Sequence, residues 1–177
     1  MSGDKTFLTE RPQETTIQRV SKTYRVARIS LFSAVCVIGS FIHPPSPIQT
    51  VAFDSSPGFF AALYFGAIDG LLVTGIGHVI TSIVNGAPLG IYHLPIALGM
   101  ALAGGAMGLV NRINDKWGFI PATICAIAIN TALFVAAIPV LGWATAVALV
   151  PFLFLASTVN CAVATLTYVT VRGRLRI

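Results

Sequence analysis

The sequence predicts an all-α, polytopic membrane protein: a bundle of six transmembrane helices with its N- and C-termini in the cytoplasm. Three observations lead there. Hydrophobic residues make up 55% of the chain and charged residues only 10%, with a mean hydropathy of +0.84, whereas an average soluble domain carries about 25% charged residues. Apolar runs punctuated by proline, glycine and charge recur along the 177 residues, which is room for about six spans of roughly 20 residues each. If the spans alternate in direction, all eleven Lys and Arg residues fall on one side of the membrane, and the positive-inside rule makes that side the cytoplasm.

Each element follows from local chemistry. Residues 1–23 are polar and of mixed charge, so they read as a cytoplasmic tail, and residues 24–177 as one transmembrane domain. Arg19, Lys22 and Arg25 precede span 1, residues 26–42, and Arg28 stands at its start, like the beginning of a secretory signal. No small-residue cleavage site follows it, and five further apolar runs do, so it is kept as a span. The stretch from His43 to Pro57, opening "HPPSPIQTVAF", cannot continue a helix, because each proline lacks an N–H and restrains its predecessor.

Span 2 is short, residues 57–67, with Pro57 suited to a first helical turn and Ser55 or Ser56 to the cap. "GAIDG" makes a tight turn into span 3, residues 71–84, and "NGAPLG" makes the next turn. Span 4 covers residues 91–110 and ends at the polar "NRINDKWG". Span 5 covers residues 119–140, and span 6 begins near Trp143 and stops before "RGRLRI".

Polar residues in such a chain need a reason. This map puts Asp54 outside as the one full charge on that face, with His43, Gln49, Asn85, Tyr92, His93 and Trp143 around it. Asn130 and Asn160 fall within spans 5 and 6, where an amide must find partners across helices or face a cavity. Simpler explanations stand beside the functional one. The two asparagines can bond across helices, and His78 in span 3 can satisfy a neighbour. Tyr92 and Trp143 can be interfacial anchors, and Asp54 can favour the start of span 2 through its helix dipole. Cys36, Cys125 and Cys161 lie in apolar runs without CxxC spacing and read as small packing residues.

Several function classes lack their residues. There is no phosphate-binding Gly-Lys loop, no HExxH, no GxSxG and no pair of intramembrane carboxylates. No charge sits at mid-span for a proton relay, and no inverted repeat stands out. Nothing calls for a cofactor or a metal. The basic excess is a topology signal rather than a nucleic-acid patch. A helical bundle with an outer polar rim and no engine of its own suggests a binding subunit. Small residues support close helix packing: Ala97, Ala101, Gly104, Gly105 and Gly108 in span 4, and Ala27, Ser30 and Ala34 in span 1. The span 4 set reads as packing within the bundle; the span 1 set suits docking to another membrane subunit equally well.

Asp54, Ser55 and Ser56, with the run "PGFFAALYFGAIDGLLVTGIGHVITSIVNGAPLGIYHLPIALGMALAGG" that follows them, form a stretch that resembles the substrate-binding S components of energy-coupling factor (ECF) vitamin transporters. The resemblance covers residues 25–108, and spans 5 and 6 by topology. It rests on an acidic residue before a Pro-Gly helix start, an "FG…G" turn, and a Gly-Pro-Leu-Gly-like entry to span 4. It implies a six-helix subunit in the bacterial plasma membrane that binds a vitamin or precursor from outside. It also implies partners: a transmembrane coupling subunit and two ATPases. Ser30 and Ala34 match the Ala-xxx-Ala-like stripe that contacts the coupling subunit, with serine in place of the first alanine. Asp69, at the cytoplasmic turn, is expected to shape that turn or to dock.

With no Lys or Arg outside, a carboxylated or phosphorylated cargo lacks its usual cationic partner. A neutral or weakly basic aromatic molecule with hydroxyls fits better. Its rings are expected against Phe59, Tyr92 or Trp143, and its hydroxyls on Asp54, Asn130 or Asn160, with Asn85 and His93 completing the site. Within the family, the branch for alpha-ribazole, the lower-ligand nucleoside of cobalamin, is the nearest in character. Three alternatives stay open: a different vitamin, a membrane scaffold whose polar groups satisfy one another, and an intramembrane enzyme using His78 or His93 as a base.

Overall fold

The computed structural model describes residues 11–43, 46 and 51–172. Among them the regular structure is entirely helical: α1 (Arg11–Gly39), α2 (Ser56–Tyr64), α3 (Ala67–Val84), α4 (His93–Asn111), α5 (Phe119–Ala132), α6 (Ile138–Ala148) and α7 (Val150–Arg172), with 3-10 turns at Gly90–Tyr92 and Leu133–Ala137. Four segments are long and apolar enough to cross a membrane: Ala67–Val84, Gly90–Asn111, Phe119–Ala148 and Val150–Arg172. The backbone of α1 is helical from Arg11, so the helix reaches back into the segment read as a tail.

Helix α2 has nine residues, only about 14 Å of helix, and the rest of the protein holds both its ends. Its N-terminal amides receive no cap from Ser55, whose hydroxyl donates to Asp54 instead. The cap comes from α7, where Asn160 Oδ1 accepts from the backbone N–H of Ser55 (3.1 Å) and of Ser56 (3.0 Å) and from Ser56 Oγ (2.8 Å). At the other end Asn111 of α4 donates to the Leu63 carbonyl at 3.0 Å. These bonds satisfy groups that a short helix leaves orphaned at each terminus. Gly66, at φ 108°, then turns the chain into α3, a backbone region open to glycine and strained for other residues.

Small residues set the closest packing. A methyl group on Gly104 would lie 2.5 Å from both the Gly70 carbonyl oxygen and Thr74 Oγ1, so α3 and α4 touch backbone to backbone there. The Thr74 hydroxyl sits 2.8 Å from the carbonyl oxygens of Gly70 and Met100, bridging the two helices. The span 4 glycines therefore pack within the bundle. From α4 the packing continues through α5 to α7, and α2 lies among α1, α3, α4 and α7. The core gathers Phe59, Leu63, Met100, Met107, Ala122, Ala126, Cys161 and Ala164. Cys36 and Cys161 are buried as free thiols, with Cys125 half-buried. Hydroxyl pairs tie α5 to α7, Thr123 with Thr165 at 2.8 Å and Thr131 with Ser157 at 3.3 Å.

The last two spans divide differently from the sequence expectation. Helix α5 and the 3-10 turn after it run from Phe119 to Ala137, about 31 Å by their helical rises, which matches a hydrocarbon core of about 30 Å. The chain then forms α6, broken at Gly142 (φ 75°, ψ 164°), before α7 starts at Val150. Trp143 thus belongs to the connecting helix rather than to span 6. Uninterrupted apolar composition hides a turn that only Gly142 and Pro139 mark.

Candidate functional site

The bundle has two chemically distinct ends. At one end Asp69, in the first turn of α3, is buried to 3% side-chain exposure between two arginines of α1. Arg25 Nε and Arg28 Nε each donate to Oδ1 at 3.2 Å, and Arg28 donates its second bond to Oδ2 at 3.0 Å. The Arg28 guanidinium also covers the Phe65 ring at 4.6 Å. A carboxylate so placed satisfies the helix dipole and locks α1 onto the α2–α3 turn. Asp69 is therefore engaged inside the protein, and what faces outward at this end is the arginine pair. Arg172 joins the same end by covering Phe119 and Tyr168 at 5.0 and 5.4 Å. Ser30 and Ala34 lie exposed on α1, in line with exposed Leu31 and Ile38.

The opposite end holds a cavity of about 60 Å³. Its walls are the 51–55 segment, His78 of α3, Ile96 and Met100 of α4, Asn130 with Leu133 and Phe134, and Leu149, Leu153, Ala156 and Asn160 near and along α7. Mostly apolar walls with a few polar groups are the usual composition of a small-molecule site. Among the described residues no lysine or arginine lines it.

The structure separates the two intramembrane asparagines. Asn160 is 1% exposed; besides capping α2, its Nδ2 donates to the carbonyls of Ala52 (3.2 Å) and Ala156 (3.0 Å). Its hydrogen bonds are used up holding the cavity wall together. Asn130 reaches the same cavity half-buried, and no hydrogen bond to its amide is present among the described residues. Asp54 has both oxygens occupied, Oδ1 by the Ser55 hydroxyl and Oδ2 by the Thr81 hydroxyl, each at 2.9 Å. Each carboxylate oxygen retains a lone pair for one more donor.

The other residues expected at the site are placed as follows. Phe59 is fully buried in the core, at 0% exposure, and does not line the cavity. Asn85 and His93 line a narrow cleft of about 10 Å³ next to the cavity, shared with Asp54, His78 and Thr81. Asn85 there donates to the Thr81 carbonyl at 2.8 Å. Tyr92 is 37% exposed on the turn before α4. Trp143 is 66% exposed and does not line the cavity; its ring centroid lies 6.5 Å from that of Phe134, which does. Its exposure is that of an interfacial aromatic. His43 has a buried Nε2 without a partner among the described residues, and Gln49 lies outside the described residues. Sequence reasoning left His78 out of the expected contacts, yet it lines both the cavity and the cleft. Thr81, three residues on from His78 along α3, bonds Asp54 at 2.9 Å, a contact that only the fold makes legible.

A solved structure described as the S component of a bacterial ECF transporter is similar in fold, with a TM-score of 0.61 and 20% identity, covering 88% of this chain and 99% of that one. No curated protein matches the chain. The family model "ECF transporter, substrate-specific component" matches residues 24–172. Membership in a family of integral membrane transport components, not enzymes, agrees with the four apolar crossing segments. This chain belongs to the family of ECF transporter substrate-specific components.

Proposed function

We propose that this subunit captures a neutral, hydroxyl-bearing aromatic molecule on the extracellular side, alpha-ribazole or a similar nucleoside-like compound, and passes it inward through an ATP-driven coupling module. The observation that carries the cargo class is the cavity's charge. Among the described residues its polar groups are Asp54, Ser55, His78, Asn130 and Asn160, and no lysine or arginine lines it, so an anionic cargo would be desolvated beside a carboxylate without a cationic side chain to pair it. Asn130 and the unfilled lone pairs of Asp54 suit hydroxyls and amide-like edges. At about 60 Å³ the cavity has room for a few waters, whereas drug-sized ligands fill about 300–1,000 Å³, so uptake of a nucleoside requires the walls to part.

The basic end, with Arg25, Arg28, Arg112, Lys116 and Arg172, faces the cytoplasm in this reading. The exposed stripe of Ser30 and Ala34 on α1 is the contact for the coupling subunit, with the two ATPases behind it. Asp69 serves docking indirectly, by setting the two arginines at the foot of that stripe. A scaffold role would require the cavity's polar groups to satisfy one another. Asn160 and Asp54 do so, and Asn130 has no such partner among the described residues, which favours a binder.

Mass spectrometry of small molecules released on denaturing the detergent-purified protein, after growth with vitamins and nucleoside precursors, tests this. A stoichiometric neutral aromatic nucleoside is expected. An empty protein that also binds no member of the mixture would favour the scaffold.

A further inference from the structure

The two histidines at the cavity end form a hydrogen-bonded series whose direction the backbone dictates. Leu89 N–H donates to His93 Nε2 at 3.2 Å in a buried contact. An amide N–H can only donate, so His93 Nε2 offers its lone pair, and in the neutral ring the proton is on Nδ1. That nitrogen lies 3.4 Å from His78 Nε2, with the ring centroids 5.5 Å apart. His93 Nδ1–H therefore donates to His78 Nε2, and the proton of His78 is on Nδ1. No acceptor for it is present among the described residues, and that nitrogen is not among the buried atoms left without partners.

The two rings differ in position as well. His78 lines the cavity, whereas His93, 5% exposed, lines only the cleft beside it. His93 thus stands behind His78 as its positioning residue.

We propose that the series from Leu89 through His93 to His78 locks His78 in one tautomer, so that it presents a fixed N–H donor to the cargo and selects molecules with an acceptor at that wall. The proposal rests on the binding reading above and refines it. Asp54 supplies acceptors, Asn130 supplies both kinds of group, and His78 supplies a donor whose polarity cannot reverse without breaking the Leu89 bond. The cargo partner is an unprotonated ring nitrogen or a hydroxyl or ether oxygen. A benzimidazole nucleoside such as alpha-ribazole carries one such ring nitrogen and no N–H on its base, so it has an acceptor for His78 and no donor to clash with it. A base edge with a lone N–H at the same place meets donor with donor and is rejected, because a buried polar group left unpaired is costly.

The test uses the full chain labelled with 15N-histidine in nanodiscs at pH 7, with the three ring systems assigned by His43→Gln, His78→Gln and His93→Gln variants. Both His78 and His93 are expected as neutral rings protonated at Nδ1. A proton on Nε2 of either ring, or a cationic ring, overturns the lock. In the His93→Gln protein His78 is expected to populate both tautomers; an unchanged His78 shows that His93 does not set it and also overturns the proposal.

Alpha-ribazole is then added, with binding followed separately by calorimetry. If it binds, the His78 Nδ1–H resonance moves, and His78→Phe lowers affinity about tenfold; binding that leaves this resonance and the affinity of the variant unchanged overturns the donor role. If it does not bind, the cargo assignment fails by itself, while the tautomers, read on the protein alone, still decide the lock.

Discussion

Replacing the two intramembrane asparagines one at a time separates a residue that holds the site from one that uses it. Asn160→Ala removes the acceptor for the Ser55 and Ser56 amides and for the Ser56 hydroxyl. An unsatisfied buried donor costs about 1–3 kcal/mol, and loss of a helix cap costs about 0.5–2 kcal/mol. The Ser55 bond is fully buried and the Ser56 bonds partly so, so a loss of about 2–4 kcal/mol is expected. For a chain of this size each kcal/mol moves the melting point by roughly 2–4 °C, giving a fall of about 5–15 °C. Asn130→Ala, which breaks no protein hydrogen bond among the described residues, should stay within about 0.5 kcal/mol of the parent. Its affinity for alpha-ribazole should fall about 5- to 100-fold, for one or two hydrogen bonds at about 1 kcal/mol or more each. Tryptophan fluorescence on heating in detergent reads the first quantity and calorimetry the second. An Asn160→Ala protein that melts within about 2 °C of the parent refutes the capping argument. An Asn130→Ala protein with unchanged affinity refutes the assignment of its free amide to the cargo.

Three further outcomes follow from contacts elsewhere. Asp69→Ala strands two arginines that are each about one-third exposed (37% and 34%), so a loss of about 1–3 kcal/mol is expected, below the cost for a fully buried pair. Double-mutant cycles should give Asp69 a larger coupling to Arg28, with its shorter second bond and Phe65 contact, than to Arg25. Gly104→Ala drives a methyl into the Gly70 carbonyl and Thr74, and overpacking of about 1–3 kcal/mol should lower the melting point; an unchanged melting point would mean α3 and α4 separate freely. Ser30→Leu with Ala34→Leu, on an exposed helix face, should leave melting and alpha-ribazole affinity unaltered while abolishing copurification with the coupling subunit.

Much of the fold was legible because apolar periodicity and punctuation are local. Pro57, Gly66, the Asn-Gly turn at 85–86 and the polar 111–118 connection mark boundaries that the helices respect. The division of the last two spans was not legible, because residues 133–155 are almost uniformly apolar and the break depends on the backbone of Gly142. At the site, sequence brought Asp54, Asn130 and Asn160 to one cavity but gave no way to tell a satisfied amide from a free one. That distinction lies in partners far along the chain: Asn160 meets residues about a hundred positions away. Phe59 resembled a cavity aromatic because it follows the Asp54 loop, yet helical phase turns it into the core. For Asp69 sequence left two roles open, shaping the turn or docking, because the two arginines that α1 returns to it lie more than forty residues away. His78 and His93 are fifteen residues apart, and only the fold shows their rings facing each other.

The most direct test of a neutral-cargo site is a calorimetric titration of the purified subunit with alpha-ribazole and with its 5′-phosphate in parallel. A cavity with no lysine or arginine on its walls among the described residues predicts that the nucleoside binds at one per chain and that the phosphate binds at least about a hundredfold more weakly, a penalty of about 3 kcal/mol for an unpaired anion. Equal or tighter binding of the phosphate would contradict the account.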